Sequence, residues 1–194
     1  MLSKLTSQFE TYQPTLLNLH RPEAGVLVPV VLEDEPAILL TVRSRHLKSH
    51  PGDIAFPGGM REQTDVDLSM TALRETEEEL NLPPSCIELL GRLSTGLSKN
   101  GILVNPFVGV VHDLSSCQPS PDEIAEWFTV PWSFFAQQAP DFQAVQRHGI
   151  HFQIPHYQFG DKHIWGLTAM ILLELVNMVE GTTWPVPAFS EVVG

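Results

Sequence analysis

Residues 56–82, FPGGMREQTDVDLSMTALRETEEELNL, constrain the fold more than any other part of the chain. The stretch opens with the turn Pro57-Gly58-Gly59, and no glycine or proline occurs from residue 65 to residue 80. Leucine, methionine, alanine and glutamate are good helix formers, so residues 65–80 predict a helix. Asp65 or Asp67 is suited to be its N-cap.

One face of the predicted helix carries three carboxylates. Glu75, Glu78 and Glu79 are spaced i, i+3, i+4 and therefore lie within roughly 100° of one another. Their charges repel and crowd the negative end of the helix dipole, at roughly 0.3–1 kcal/mol each. Arg74 offsets part of this through Glu78, and a divalent cation such as Mg²⁺ or Mn²⁺ would offset the rest, because these ions prefer oxygen ligands. The alternative is a solvated acidic helix face.

The composition fits one globular α/β domain spanning residues 1–194. The chain is 43% hydrophobic and carries a net charge of −12, which argues against a broad nucleic-acid surface or an anionic-membrane surface. Against that acidic background, Arg43, Arg45 and Lys48 form a local basic cluster. The partner that these features predict is a small anionic molecule. Whether the chain also forms a homodimer stays open.

Several features predict a cytoplasmic location. Cys86 and Cys117 have neither metal-site spacing nor a disulfide framework, as is usual in a reducing compartment. The N-terminal residues contain no unbroken apolar run of the kind that a signal peptide has. The most apolar stretch, residues 164–179, is too short to cross a bilayer core of ~30 Å at ~1.5 Å per residue.

Strands alternate with helices along the chain, which favours an α/β/α sandwich with a mixed β-sheet. Residues 1–22 are predicted to form a helix or an arm, and residues 181–194 an extended tail. Residues 149–159 alternate in polarity and predict a hairpin that turns near Pro155. The remaining predicted strands are residues 25–33, 36–42, 87–97, 104–112 and a segment within 122–130; the remaining predicted helices begin at Pro131 and span 164–178.

The central stretch resembles the Nudix box, the sequence signature of the Nudix hydrolase family. The second half of the pattern, Arg-Glu-aliphatic-any-Glu-Glu-any-Gly-aliphatic, aligns with residues 74–82. Thr76 stands where an aliphatic residue is usual, Asn81 replaces the glycine, and Val66 stands where the first glutamate is expected. Asp65, Asp67 or Glu62 would then fill the role of that first acid with a shifted spacing.

The resemblance implies a metal-dependent hydrolase of phosphoric anhydrides. It implies that Glu75, Glu78 and Glu79 bind Mg²⁺ or Mn²⁺, that a Gly58 or Gly59 carbonyl is a further ligand, and that Arg74 holds a glutamate in position. A glutamate would assist the attacking water. The candidates for this base are Glu75 and, from the later loop, Glu123 or Glu126; the alternative for the last two is a solvated loop carboxylate.

A second resemblance, to the coenzyme A diphosphatases within the Nudix family, lies upstream. LLTVRS at residues 39–44, Lys48, Gly52 and FPGG at residues 56–59 match that signature in spacing, with lysine in place of arginine. HYQF at residues 156–159 and HIWGLTA at residues 163–169 also look like this subfamily.

The second resemblance implies cleavage of coenzyme A or its thioesters to 3′,5′-ADP and 4′-phosphopantetheine or its acyl form. Alternatives are a Nudix diphosphatase acting on ADP-ribose or a dinucleotide, and a non-catalytic Nudix-like domain that binds a nucleotide. For Phe56, stacking on adenine and core packing both stay open. The predicted substrate-binding residues are Arg43, Arg45, Lys48, Phe56, Gly58 and Gly59.

Overall fold

The computed structural model describes residues 2–32, 34–47, 49–147 and 150–186. The described chain forms four α-helices, one short 3₁₀ helix (Pro84–Cys86) and eleven strands. The helices are α1 (Leu2–Thr11), α2 (Leu68–Leu80), α3 (Trp132–Gln137) and α4 (Gly166–Glu180). The strands are β1 (Glu23–Val31), β2 (Ala37–Arg43), β3 (Ile54–Ala55), β4 (Gly58–Met60), β5 (Ile87–Arg92), β6 (Gly96–Leu97), β7 (Leu103–Val111), β8 (Ile124–Pro131), β9 (Asp141–Arg147), β10 (Ile150–Phe159) and β11 (Lys162–Trp165).

The main sheet is mixed, as predicted. Its path runs β3-β2-β1-β7-β5, with β4 added to β1, β6 to β7 and β8 to β2. Strands β1 and β7 are parallel, and the other pairs are antiparallel. The predicted strand over residues 87–97 is divided into β5 and β6. The proline at position 131 ends β8, so helix α3 begins one residue later than predicted.

Strand β1 is apolar from Ala24 onward, as is usual for a strand in a sheet that is covered on both faces. Val28 and Val30 pack in a core cluster with residues of α4, whereas Val31 packs with Leu80 at the end of α2. Successive side chains of a strand point to opposite faces, so α2 and α4 lie on opposite sides of the sheet. The α/β/α sandwich is confirmed, and the residues that α2 buries include Ala72, Leu73, Thr76 and Leu80.

The prediction of a hairpin around Pro155 is wrong. The whole of β10 is one strand, the central one of a second, three-stranded sheet between β9 and β11. Pro155 is paired with Phe142 of β9, while the pairing with β11 begins only at His156. Proline is tolerated in a strand where one edge has no ladder partner. The turn lies instead at Gly160-Asp161, and β9 was not predicted.

Both ends of α2 have residues suited to the cap position: the Asp67 side chain caps the N-terminus, and the backbone N–H of Asn81 donates to the carbonyl of Glu77 at the C-terminus. Oδ1 of Asp67 accepts the N–H groups of Ser69 and Met70 at 2.9 and 3.0 Å, so Asp67 is the N-cap. Asn81 has the left-handed conformation, with φ 54° and ψ 33°, and its side-chain amide donates to the carbonyl of Ser116. Asparagine is the residue other than glycine that most readily adopts this C-cap conformation, which accounts for Asn81 in the glycine position of the signature.

Part of the predicted N-terminal arm is helical. Leu5 of α1 is buried in the core, and Lys4 forms an ion pair with Glu180 at the end of α4. Residues 181–186 are irregular, and the rest of the predicted C-terminal tail lies outside the described residues. The single domain over residues 1–194 stays a prediction. None of the helices in the described ranges combines the length and the apolar character needed to cross a membrane.

Candidate active site

The glycine turn lies directly against α2 because β4 pairs with β1. Gly58 pairs with Val26, and its N–H donates to Oε2 of Glu79 at 3.1 Å. Gly58 has φ +149°, and a Cβ at this position would overlap the carbonyl of Gly25 and the side chain of Val26. Only glycine therefore allows the turn to pack this closely against β1 in the conformation that directs its N–H to Glu79.

Gly59 leaves room for a second carboxylate. A Cβ at Gly59 would overlap the carboxyl carbon and both oxygens of Glu75. The Glu75 carboxylate therefore lies against the backbone of the turn, and the missing side chain forms a cradle for it. Gly58 therefore contacts Glu79, and Gly59 lies against Glu75.

Arg74 is the centre of an ionic network. Its Nε and Nη2 donate to the two carboxylate oxygens of Asp65, both at 3.1 Å. Its Nη1 lies 3.0 Å from Glu75 and 3.1 Å from Glu78. The Arg74 guanidinium, helped by the N–H of Glu62, holds the pKa of Asp65 well below its usual range. Of the three acids considered for the first half of the signature, Asp65 is therefore the one that anchors the arginine.

We expect Asp65→Asn to destabilise the protein by about 2 kcal/mol, because Arg74 loses a buried, two-point ionic partner. Turnover should fall about tenfold or more, since Arg74 then positions Glu75 and Glu78 less well. The matched control is Asp67→Asn, which keeps a good N-cap and should change stability by less than about 0.5 kcal/mol. Equal unfolding midpoints and rates for the two variants would contradict the anchoring role.

Glu79 is a buried carboxylate whose charge is only partly compensated. It is 2% exposed, and the nearest arginine, Arg43, lies 3.8 Å away. Burial raises its pKa to about 8, against the opposing effects of the Gly58 N–H and Arg43. Burial also raises the pKa of Glu75. Glu78 is exposed on the same helix face.

These donors fit a hard divalent cation. They are all oxygens, two of them belong to partly or fully buried carboxylates, and added positive charge would stabilise the ionised forms that burial disfavours. In the part of the chain that the structure describes, no three histidine, cysteine, aspartate or glutamate side chains already converge on one point. Instead Glu75 and Glu78 contact Arg74, and Glu79 contacts Gly58 and Arg43. The metal-ligand set, including a Gly58 carbonyl, stays a prediction.

The two loop glutamates differ in position. The negative charge of Glu123 contributes to the raised pKa of both Glu75 and Glu79, so Glu123 lies within electrostatic reach of them. The carbonyl of Glu123 accepts the N–H of Ser44, which fixes the loop beside β2. Glu126 instead forms an ion pair with Lys162 at 2.7 Å. Of the two loop candidates for the base, the structure brings Glu123 toward the cluster.

The basic segment after β2 is only partly gathered at the site. Arg43 lies beside Glu79 and lines a cleft of about 320 Å³. Arg45 is exposed and is not among the residues that line this cleft. Lys48 lies outside the described residues. Phe56 belongs to the buried core cluster and also contributes to the wall of the cleft, so most of its surface packs against other core residues.

The cleft contains residues that were not predicted from sequence. Leu97 ends β6, Ser98 and Lys99 come from the β6–β7 turn, and Gln153 and Ile154 come from β10. The apolar alternation of residues 149–159 was visible in sequence, but nothing there indicated that β10 would reach the glycine turn. Trp165, which ends β11, and Thr168 of α4 also line the cleft.

Comparison with known proteins agrees with the geometry. The family model described as NUDIX domain matches residues 21–150. A Photorhabdus laumondii protein, named as the uncharacterised Nudix hydrolase NudL, is 38% identical over 168 residues, covering 86% of this chain and 90% of that one. The Yersinia enterocolitica protein of the same name is 36% identical over 181 residues, covering 92% and 93%.

Among solved structures, an Ap4A hydrolase from C. elegans is similar, with a TM-score of 0.49 and 22% identity over 56% of this chain and 79% of that one. The family match and the two NudL sequences establish the relationship. The chain belongs to the Nudix hydrolase family, and its Nudix box is the glycine turn with helix α2.

Proposed function

We propose that this Nudix hydrolase cleaves the diphosphate bond of coenzyme A or its thioesters, giving 3′,5′-ADP and 4′-phosphopantetheine or its acyl form. The observation that carries the proposal is that the Glu79 carboxylate contacts Gly58 and Arg43, two residues that line the cleft. A buried carboxylate, a close backbone and a guanidinium there suit a cation-bound diphosphate. The LLTVRS and FPGG signatures, which contribute Arg43 and Gly58, support coenzyme A as the substrate.

Glu75, Glu78, Glu79 and a carbonyl of the glycine turn would hold the cation, Mg²⁺ or Mn²⁺. Bound there, such an ion supplies charge neutralisation of the diphosphate oxygens and lowers the pKa of a water molecule. Glu75 and Glu79 lie against the glycine turn, and Glu78 is exposed on the same helix face. Arg74 keeps Glu75 and Glu78 on that face through contacts of 3.0 and 3.1 Å.

The proton of the attacking water would be taken by a glutamate. Glu75 is half-buried against Gly59, and its raised pKa makes it a better proton acceptor than an ordinary surface carboxylate. Glu123 is the second candidate, because it approaches the same cluster from the β7–β8 loop. We propose that one of these two is the base.

Arg43 and the segment that follows would bind the substrate phosphates. The Arg43 guanidinium lies at the junction of the glutamate cluster and the cleft, where a diphosphate oxygen would be shared between them. Arg45 and Lys48, a few residues further along, are proposed to meet the 3′-phosphate. A small-molecule substrate, a cytoplasmic location and self-association as a homodimer stay predictions at this level.

A substrate panel tests the proposal. Products of coenzyme A, dephospho-coenzyme A, ADP-ribose and a dinucleotide are separated by HPLC after incubation with Mn²⁺. We expect kcat/KM for coenzyme A to exceed that for ADP-ribose by about tenfold or more, because the 3′-phosphate adds a charge-assisted contact. Faster turnover of ADP-ribose or the dinucleotide would refute coenzyme A as the substrate. No turnover of any compound would favour a non-catalytic nucleotide-binding domain.

A further inference from the structure

The cleft beside the glycine turn has a wall that the packing of the fold does not explain. Its volume is about 320 Å³, near the lower end of the range for ligand pockets. Four apolar residues of the wall come from three separate parts of the chain: Leu97, Val104, Val145 and Ile154. Across the described ranges, none of these four belongs to either apolar core cluster. Apolar side chains that line a cleft without joining a core indicate a binding surface.

Most polar groups in this wall already have partners. The Thr168 hydroxyl donates to the carbonyl of Ile54 at 3.1 Å, and His50 is bonded to Asp53 at 2.7 Å. The Ser98 hydroxyl oxygen accepts the N–H of Ile102 at 3.1 Å. Three other polar side chains of the wall, Lys99, Gln153 and Trp165, are exposed to solvent. A heterocyclic base buried against the apolar part of the wall would leave most of its edge nitrogens without hydrogen bonds, which is costly in an apolar site. A hydrocarbon chain has no such groups to satisfy.

The cleft also has a defined polarity. Arg43 and Gly58, which contact the Glu79 carboxylate, form part of its wall, so this part of the cleft adjoins the proposed hydrolytic site. Leu97, Val104 and Ile154 contribute apolar wall to the same cleft. An amphiphilic substrate would therefore have its diphosphate beside Arg43 and its aliphatic arm among these side chains.

We infer that this cleft is a hydrocarbon subsite, which binds the acyl chain of a coenzyme A thioester, and that Leu97, Val104 and Ile154 determine the preferred chain length. The inference rests on the proposed function, since it assigns the acyl end of the substrate rather than the adenine to the cleft. It predicts that the thioesters are better substrates than free coenzyme A.

A series of straight-chain thioesters, from acetyl- to decanoyl-coenzyme A, tests the subsite. We expect kcat/KM to rise by about fourfold per methylene until the cleft is filled, since each buried methylene contributes about 0.8 kcal/mol, and then to level off. Leu97→Phe adds volume at a half-buried wall position and should lower the decanoyl-to-acetyl ratio about tenfold. The matched control is Leu16→Phe, an exposed position outside the cleft, which should keep the wild-type ratio.

Calorimetric titration of the metal-free protein with the same thioesters gives a readout without turnover. Tighter binding of longer chains, weakened by Leu97→Phe, supports the subsite. Equal binding and equal kcat/KM across the series in the wild type would overturn it, as would a ratio that Leu97→Phe leaves unchanged. If no coenzyme A compound were cleaved, the proposed function would fail, and the binding series would still decide whether the cleft takes a hydrocarbon chain.

Discussion

Glu79→Gln is expected to lower kcat/KM by about a thousandfold or more while the protein stays folded. Glutamine keeps the shape of the side chain and can still accept the N–H of Gly58, so the local packing is preserved. What disappears is the negative charge that faces the proposed cation. Because Glu79 is only 2% exposed, we expect no solvent-exposed carboxylate to take its place as a ligand of the cation. Steady-state kinetics with Mn²⁺ and circular dichroism measure the two halves of this prediction.

Glu77→Gln is the matched control for that experiment. Glu77 lies on the same helix, two residues away, and is exposed to solvent. The substitution removes the same charge without touching the glycine turn, so turnover should stay within about twofold of the wild type. Similar rates for the Glu79 variant and the wild type would contradict the role assigned to the buried carboxylate.

The stability of the metal-free protein should fall as the pH rises from about 5 to about 8. Burial raises the pKa of Glu79 to about 8 from an ordinary value of 4.5, so in this window the folded protein binds more protons than the unfolded chain. A group with a raised folded-state pKa loses stability as the pH rises through that interval. The decrease in the free energy of unfolding should be on the order of 3 kcal/mol, and denaturant titrations at several pH values measure it.

Two comparisons isolate the contribution of Glu79 to this pH dependence. Glu79→Gln should flatten the curve between pH 5 and pH 8, because glutamine does not ionise. Saturating Mn²⁺ should raise the stability of the wild type most at pH 8, where the cation stabilises the ionised carboxylate. Asp65 acts in the opposite direction at lower pH, because its pKa is depressed and its stabilising effect is lost as the carboxylate is protonated. A wild type whose stability does not fall over this window would contradict the burial argument.

Helix α2 could be predicted because its signals are local. Its Gly- and Pro-free composition, the acidic N-cap and the i, i+3, i+4 glutamates are all readable within one stretch, and the structure gives Asp67 as the N-cap. It was harder to predict from the sequence that Asp65 is the partner of Arg74. Asp65 precedes the helix in sequence. It reaches Arg74 only because the chain after Met60 turns back toward the helix, and the position of Met60 depends on the pairing of β4 with β1.

The cleft could not be predicted because its walls come from elements far apart in sequence. Because proline usually interrupts a strand, the sequence predicts a hairpin turn near Pro155, next to Ile154. The structure avoids that disruption because β11 pairs only from His156 onward. The different positions of Arg43 and Arg45 could not be predicted for a similar reason. Arg43 ends β2 and lies beside Glu79, whereas Arg45 follows in the loop and faces solvent.

Calorimetric titration of the metal-free protein with Mn²⁺ tests the central claim most directly, namely that the carboxylates of α2 hold a divalent cation beside the glycine turn. The expected result is saturable binding to the wild type and to Glu77→Gln, and a loss of at least about tenfold in affinity for Glu79→Gln. Absence of binding to the wild type, or equal affinity for all three proteins, would contradict the claim.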